Sequence, residues 1–139
     1  MESLKVKDYM TLQAVTFTPD MSLSAALHKV LDSRYLGGPV IDENKKVIGF
    51  LSGQDLLEKL LKVSYYCQDT HIVRDCMHPG VLSVGPDTSI IALAEMMTQA
   101  KPKVYPVIDD NKKLVGIITR RDVLRAIGKN INECFKHPV

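Results

Sequence analysis

The sequence predicts a mixed α+β (α/β) fold made of two β-α-β-β-α repeats. Three observations indicate it: an internal duplication, apolar residues at helical spacing, and runs of β-branched residues around polar turns. With 139 residues, 45% of them hydrophobic, the chain is long enough to bury a core. The stretch between the copies has no Gly/Pro/Ser linker character, so we expect one compact unit rather than two separate beads.

The internal duplication has a constant offset of 67 residues. It places Gly49 on Gly116 and Asp55 on Asp122, and it aligns PVIDENKKVIGFLSGQD (39–55) with PVIDDNKKLVGIITRRD (106–122) without a gap. From Val6/Val73 to Leu57/Leu124, 17 of 52 positions are identical. Chance matching gives far fewer identities, so the chain carries two copies of one structural unit.

Each copy is predicted to contain five elements. VTFTPD (15–20) and VLSVGPD (81–87) indicate a first strand, ended by a proline that cannot donate to a sheet. Residues 22–32 and 89–99 have the apolar spacing of a helix. A hairpin follows, with the polar turn Glu43-Asn44-Lys45 in the first copy, and then a helix. The predicted boundaries are 5–61 for the first repeat, 62–72 for the connection, 73–128 for the second repeat and 129–139 for a C-terminal tail.

Charge and composition argue against several classes of protein. The 18 basic and 16 acidic side chains leave a formal charge of +2, unlike the concentrated positive field of a nucleic-acid binder. The N-terminus lacks the apolar core of a signal peptide, and no apolar run approaches the length of a membrane span. We therefore expect a cytoplasmic protein that binds neither nucleic acid nor a membrane, with its three cysteines reduced.

The final helix of each copy begins with a hydroxyl residue followed three positions later by an acid. Ser52 with Asp55, and Thr119 with Asp122, form a variant of the capping box. A carboxylate in this first turn can also accept both hydroxyls of a ribose, while the helix dipole attracts phosphate. The arginines at 120 and 121 oppose that dipole, which favours a bound anion, although solvated surface charges remain an alternative.

The pairs PVID…GFLSGQD and PVID…GIITRRD, over about residues 5–128, resemble a tandem pair of cystathionine-β-synthase (CBS) motifs. The resemblance implies pseudo-twofold symmetry and two clefts between the repeats, which bind adenine-containing molecules and regulate an attached or associated protein. It also implies a homodimer built through the helices after Ser52 and Thr119. No attached catalytic or transport domain is evident, so we expect a free-standing module that acts on a separate, unknown partner.

The same resemblance assigns ribose binding to Asp122 and Asp55, with hydroxyl contacts from Thr119 and Ser52. Around the ligand of Asp122, where Arg120 and Arg121 are expected to contact phosphate, it points to Ile117, Ala14, Tyr35, Leu36 and Gly37. Around the ligand of Asp55 it points to Phe50, Val81, Lys103 and Val104, with Lys103 as a basic phosphate contact. Ile117 and Phe50 are equally compatible with ordinary core positions, and Tyr35 with an ordinary half-buried ring.

A metal site is a rival interpretation of Cys67, His71, Cys76 and His78, which lie within twelve residues. Their spacing, Cys-x3-His-x4-Cys-x-His, matches no common zinc finger, so we expect no metal. We also expect no cofactor and no enzymatic activity, because the sequence has no Gly-x-Gly-x-x-Gly motif, phosphate loop or obvious nucleophile with a base.

Three functions stay open. The favoured one is a sensor of AMP, ADP or ATP that passes ligand occupancy to a partner protein. The alternatives are a protein-interaction or dimerisation module with vestigial clefts, and a receptor for S-adenosylmethionine or a cyclic dinucleotide.

Overall fold

The computed structural model describes residues 4–67, 71–99 and 102–136 and confirms the mixed α+β fold class. Helices and strands alternate in the same order in both halves of the chain. The regular elements of the described residues are a 3-10 turn (Val6–Asp8), α1 (Leu23–Leu31), β1 (Gly38–Ile41), β2 (Val47–Leu51), α2 (Gly53–Tyr66), a second 3-10 turn (Val73–Asp75), α3 (Ile90–Met97), β3 (Val104–Ile108), β4 (Leu114–Thr119) and α4 (Arg120–Lys136).

The strands form two antiparallel hairpins, β1 with β2 and β3 with β4. In the first turn, Oδ1 of Asp42 accepts hydrogen bonds from the backbone N–H groups of Asn44 (2.8 Å) and Lys46 (3.0 Å). Lys45 and its counterpart Lys112 both have a φ of 64°, the left-handed conformation that closes such turns. The predicted turn chemistry is therefore confirmed, and it appears in both copies.

The predicted first strand of each repeat is wrong in its extent. Only one residue of each segment pairs with the hairpin: Phe17 forms a parallel bridge with Val40, and Val84 does so with Val107. The N–H of Phe17 donates to the carbonyl of Pro39 at 3.1 Å. The next residue whose N–H faces β1 is Pro19, which has no N–H to donate, so the pairing stops there.

The helix predictions are confirmed, with small shifts at the ends. The Ser22 and Ser89 hydroxyls accept backbone hydrogen bonds at the start of α1 and α3. The last helix, α4, continues to Lys136 and so includes most of the predicted tail. None of the helices in the described ranges is long and apolar enough to cross a bilayer.

The contacts divide the chain into two compact units, and neither is one sequence repeat. The Asp122 unit comprises residues 1–13, 83–110 and 115–139, and the Asp55 unit comprises residues 14–82 and 111–114. The repeats exchange their first segments because each 3-10 turn bonds to the other copy. The N–H of Val6 donates to Thr88 at 2.9 Å, and the N–H of Val73 donates to Met21 at 2.9 Å.

Each unit has its own hydrophobic core. In the Asp122 unit, Val6 is one of ten buried residues that pack together, with Ile90, Leu93 and Tyr105. In the Asp55 unit, Val73 and Cys76 are two of nine buried residues that pack together, with Phe17 and Leu51. The core of each unit is therefore completed by residues from the first segment of the other repeat.

Candidate functional site

In the Asp55 unit, the candidate site lies where β2 ends and α2 begins. Ser52 leaves the strand with extended backbone angles and caps the helix, since its Oγ accepts a hydrogen bond from the N–H of Asp55 at 3.1 Å. The same hydroxyl donates to Oδ2 of Asp55 at 2.6 Å. The capping role predicted for this pair is confirmed, and it holds the carboxylate at the helix N-terminus.

A second group also contacts this carboxylate: Nε2 of His78 lies 2.7 Å from Oδ2 of Asp55. The fold brings them together because Phe50, at the end of β2, forms an antiparallel bridge with His78 in which each backbone donates to the other at 2.9 Å. Sequence reasoning missed this contact and considered His78 only as a metal ligand. His78 lies 23 positions after Asp55, and no local pattern indicates the bridge that brings them together.

In the Asp122 unit, Thr119 and Asp122 form a complete capping box at the start of α4. Oδ2 of Asp122 accepts hydrogen bonds from the backbone N–H and the Oγ1 of Thr119, both at 2.9 Å. Oγ1 of Thr119 in turn accepts from the N–H of Asp122 at 3.2 Å. The other carboxylate oxygen, Oδ1, accepts from Nη2 of Arg125 at 2.9 Å. Both oxygens of Asp122 are therefore bonded within the chain.

The two carboxylates differ in accessibility. The side chain of Asp122 is 8% exposed and that of Asp55 is 20% exposed. Arg121 is exposed and Arg120 is half-buried at the first turn of α4, so cations do lie beside Asp122. The N–H of Arg120 donates to the carbonyl of Lys103 at 2.8 Å, which places the Lys103 backbone at this helix start rather than in the unit that contains Asp55.

The remaining predicted site residues are divided between the units. Val104, half-buried, and Ile117, completely buried, lie in the Asp122 unit. The Asp55 unit holds the others: Ala14, Tyr35, Leu36, Gly37, Phe50 and Val81. All of these except the exposed Leu36 are half-buried.

Two of these residues approach the first turn of α2 closely. A Cβ at Gly37 would overlap with the carbonyl oxygen of Leu51, and a Cβ at Gly53 would lie 2.6 Å from that of Leu36. Any larger side chain at either glycine would force the backbone apart. A cavity of about 530 Å³ opens beside this contact, between α1 and α2, and is lined by Leu27, Val30, Leu36, Gly53, Gln54, Leu56, Leu57 and Leu60.

The Asp55 site contains the three groups of a hydrolase triad in the wrong order. In a triad the imidazole lies between the hydroxyl and the carboxylate, so that it can take the proton of the nucleophile. Here the hydroxyl of Ser52 donates to the carboxylate itself, and the imidazole of His78 contacts the same oxygen. Within the described ranges, no three His, Cys, Asp or Glu side chains are grouped as metal ligands. A carboxylate at a helix N-terminus can accept hydrogen bonds from hydroxyls, and the helix dipole beside it attracts anions.

Comparisons with known proteins agree with this architecture. Among curated proteins, CBSX1, a chloroplastic CBS domain-containing protein of Arabidopsis thaliana, is 31% identical over 78% of this chain and 56% of its own length. Two further curated relatives, MJ1232 and MJ0188 of Methanocaldococcus jannaschii, are matched over 43% and 44% of their own length, so the chain spans about half the length of these three relatives.

Solved structures of similar fold cover the chain more completely. CBSX2 of Arabidopsis thaliana has a TM-score of 0.81 and 30% identity, over 94% of this chain and 99% of that one. A structure of CBSX2 in complex with AMP has a TM-score of 0.77 and 32% identity, over 90% and 96%. AcuB of Vibrio cholerae has a TM-score of 0.80 and 30% identity, over 97% of both chains.

The family match coincides with the duplication seen in the sequence. The CBS domain family matches residues 6–62 and again residues 73–129, which together make up most of the chain. The two matched segments also reproduce the 67-residue offset between Val6 and Val73. This chain therefore belongs to the CBS domain family and carries two CBS motifs in tandem.

Proposed function

We propose that the chain is a regulatory module that binds adenine nucleotides and passes ligand occupancy to a partner protein. The observation that carries the proposal is the duplicated hydroxyl–carboxylate pair at a helix N-terminus, Ser52 with Asp55 and Thr119 with Asp122. Its position matches the chemistry of a ribose and a phosphate. The AMP complex of CBSX2, 32% identical over 90% of this chain, supports an adenine nucleotide as the ligand.

The two half-sites differ in charge, where a half-site is the start of α2 with Asp55 or the start of α4 with Asp122. The first turn of α4 carries Arg120 and Arg121, whereas the equivalent positions of α2 are Gly53 and Gln54. A charge-assisted contact to phosphate contributes roughly 1.5 to 3 kcal/mol. We therefore propose that phosphorylated ligands bind the Asp122 half-site about one to two decades more tightly.

Calorimetry with AMP and adenosine tests this assignment. We expect Asp122→Ala to remove the tighter AMP phase and Asp55→Ala to leave it in place. The double variant Arg120→Ala/Arg121→Ala is expected to weaken AMP binding selectively, with little effect on adenosine. A matched control is Lys62→Ala/Lys129→Ala, which removes exposed cations nine residues farther along α2 and α4.

Two results would contradict the assignment. If Asp55→Ala removes the tighter phase, the stronger half-site has been misplaced. If the arginine variant binds AMP within about twofold of the wild-type affinity, well below a full charge-assisted contact, the arginines are surface charges.

The identity of the ligand is tested by thermal shift with AMP, ADP, ATP, S-adenosylmethionine and cyclic dinucleotides. A ligand at 100 times its dissociation constant stabilises the folded chain by about 2.7 kcal/mol, which raises the melting temperature by several degrees. A response to S-adenosylmethionine alone would replace the nucleotide proposal. No response to any compound would favour a protein-interaction module.

We further propose that the chain acts as a homodimer that contacts its regulated partner. The helices that follow the two half-sites carry exposed apolar side chains along one face, and a second copy of the chain could cover them. These residues are Leu57, Leu61 and Tyr65 on α2, and Leu124, Ile131 and Phe135 on α4.

A further inference from the structure

We propose that His78 controls the Asp55 half-site by competing with the ligand for the Asp55 carboxylate, and that protonation of the imidazole closes this half-site. The inference rests on the proposed function, because it assumes that Asp55 binds the ribose of an adenosyl ligand. It adds a specificity-determining residue and a pH dependence, both confined to one of the two half-sites.

The geometry places the imidazole where a ribose hydroxyl would bind. Nε2 of His78 lies 2.7 Å from Oδ2 of Asp55, and the same oxygen accepts a hydrogen bond from Oγ of Ser52 at 2.6 Å. A carboxylate that holds two neighbouring hydroxyls uses both of its oxygens, so the ligand must displace the imidazole. The His78 side chain is 67% exposed and can turn into solvent without disturbing the core.

The duplicated fold provides an internal comparison. The bridge between Phe50 and His78 has its counterpart in the Asp122 unit, where Thr11 bridges Ile117 with backbone hydrogen bonds of 2.8 and 2.9 Å. The residue at this position is thus a threonine in one unit and a histidine in the other. A neutral threonine cannot form an ion pair with the carboxylate.

The basic side chains that contact the two carboxylates also differ. Asp122 is bonded to Arg125, and arginine is the residue type that keeps its charge in proteins. Asp55 is contacted by a histidine, the residue type whose ordinary change of charge falls between about pH 5 and pH 8. Of these two contacts, only the one to Asp55 can be switched by pH in that range.

Among the described residues, the elements next to His78 carry ionisable groups on α2 and on the second 3-10 turn, and β2 has none. In the 3-10 turn, Asp75 lies 3.7 Å from Nδ1 of His71, and Arg74 lies 3.7 Å from Asp20. On α2, Glu58 accepts a hydrogen bond from Gln54. The charges of Asp55, Lys59 and Asp75 all act on the buried thiol of Cys76. Asp55 is therefore the carboxylate that His78 engages directly.

The direction of the effect follows from the strength of the contact. Protonation gives the imidazole a positive charge, and a charged partner attracts a carboxylate more strongly than a neutral one. Lowering the pH therefore strengthens the contact that the ligand must break. We expect the affinity of the Asp55 half-site to fall about five- to tenfold between about pH 8 and pH 5.5, and that of the Asp122 half-site to stay constant.

The experiment is a titration of the full chain with adenosine at several pH values. Binding is monitored by two-dimensional amide NMR. Adenosine is used because the phosphate of AMP itself titrates near pH 6. The amides of Gly53 and Asp55 report on one half-site, and those of Arg121 and Asp122 on the other. The variants are His78→Thr, which copies the other unit, and His78→Gln, which keeps a hydrogen-bonding but uncharged side chain.

We expect both variants to bind adenosine at the Asp55 half-site with an affinity independent of pH, and more tightly than wild type at about pH 5.5. If either variant keeps the wild-type pH profile, His78 is not the switch. If wild-type affinity rises as the pH falls, the protonated imidazole binds the ligand instead of competing with it for the carboxylate, and the proposal is wrong. If adenosine shifts neither set of amides in any variant, the adenosyl-binding function fails and this inference fails with it.

Discussion

Arg125 and Asp122 form an ion pair within the first turns of α4, with Nη2 of the arginine 2.9 Å from Oδ1 of the carboxylate. The residue aligned with Arg125 in the other repeat is Glu58, which accepts a hydrogen bond from Gln54 and has the opposite charge. The duplicated carboxylates therefore have different neighbours along their own helices. At Asp55, the basic side chain comes instead from His78, outside the helix.

This difference leads to a prediction about stability. Asp122→Ala removes the acceptor of the Thr119 N–H and leaves that group unsatisfied, so we expect a loss of about 1–2 kcal/mol. Arg125→Met removes only the ion pair of a side chain that is 60% exposed, and we expect a loss of about 0.5 kcal/mol at most. Urea unfolding measures both. Equal losses would mean that the ion pair, and not the cap, holds the start of α4.

The buried thiol of Cys76 predicts a pH dependence. Burial raises the pKa of Cys76 above its ordinary value of 9.0, and the negative charge of Asp55 raises it further. In the unfolded chain the thiol ionises first, so the unfolded state binds fewer protons and the free energy of unfolding falls as the pH rises through 9.0. We expect this fall to be steeper in the wild type than in Cys76→Ala. The matched control is Cys134→Ala, an exposed thiol whose removal should leave the slope unchanged.

The parts of the fold that depend on neighbouring residues could be predicted from the sequence. The hairpin turn follows from the chemistry of Asp42 and the residues after it, and the helix starts follow from Ser22, Ser52 and Thr119. Each of these features is fixed by hydrogen bonds that span three or four residues. The duplication supports these predictions further, because each local pattern appears in both repeats.

The parts that depend on distant contacts could not be predicted. The exchange of Val6 and Val73 between the repeats is decided by packing across more than 80 and 50 residues, to Thr88 and Met21 respectively. The contact of His78 with Asp55 depends on a bridge that no local periodicity reveals. For the same reason both candidate carboxylates could be predicted from the sequence, but neither of the basic side chains that contact them.

The third prediction concerns the oligomeric state of the chain. If a second copy covers the apolar faces of α2 and α4, light scattering at micromolar concentration should give a mass near twice the 15.5 kDa of one chain. Leu61 and Leu124 are 63% and 65% exposed, so Leu61→Glu/Leu124→Glu should shift the mass toward one chain without unfolding it. The control is Leu12→Glu, a leucine that is 73% exposed and lies outside the helices. A wild-type mass of one chain would contradict the proposed dimer.

The last prediction concerns fragments of the chain, and it follows from the exchange of first segments between the repeats. A fragment of residues 1–66 contains a whole first repeat but lacks Val73 and Cys76, which complete the core around Phe17. Its segment around Val6 has also lost its partners, since that residue packs in the Asp122 unit. We expect this fragment to be unfolded or to self-associate, because a chain of this size has little core to lose.

A fragment of residues 14–82 is of similar length, yet it contains all of the Asp55 unit except residues 111–114. We expect it to be monomeric and to melt cooperatively by circular dichroism, at a lower temperature than the whole chain, because its core is complete. Val73→Asp in this fragment should abolish the transition, since it places a charge at a position that is 0% exposed. Cooperative melting of 1–66 alongside an unfolded 14–82 would show that the sequence repeat, and not the exchanged unit, is the cooperative element of this fold.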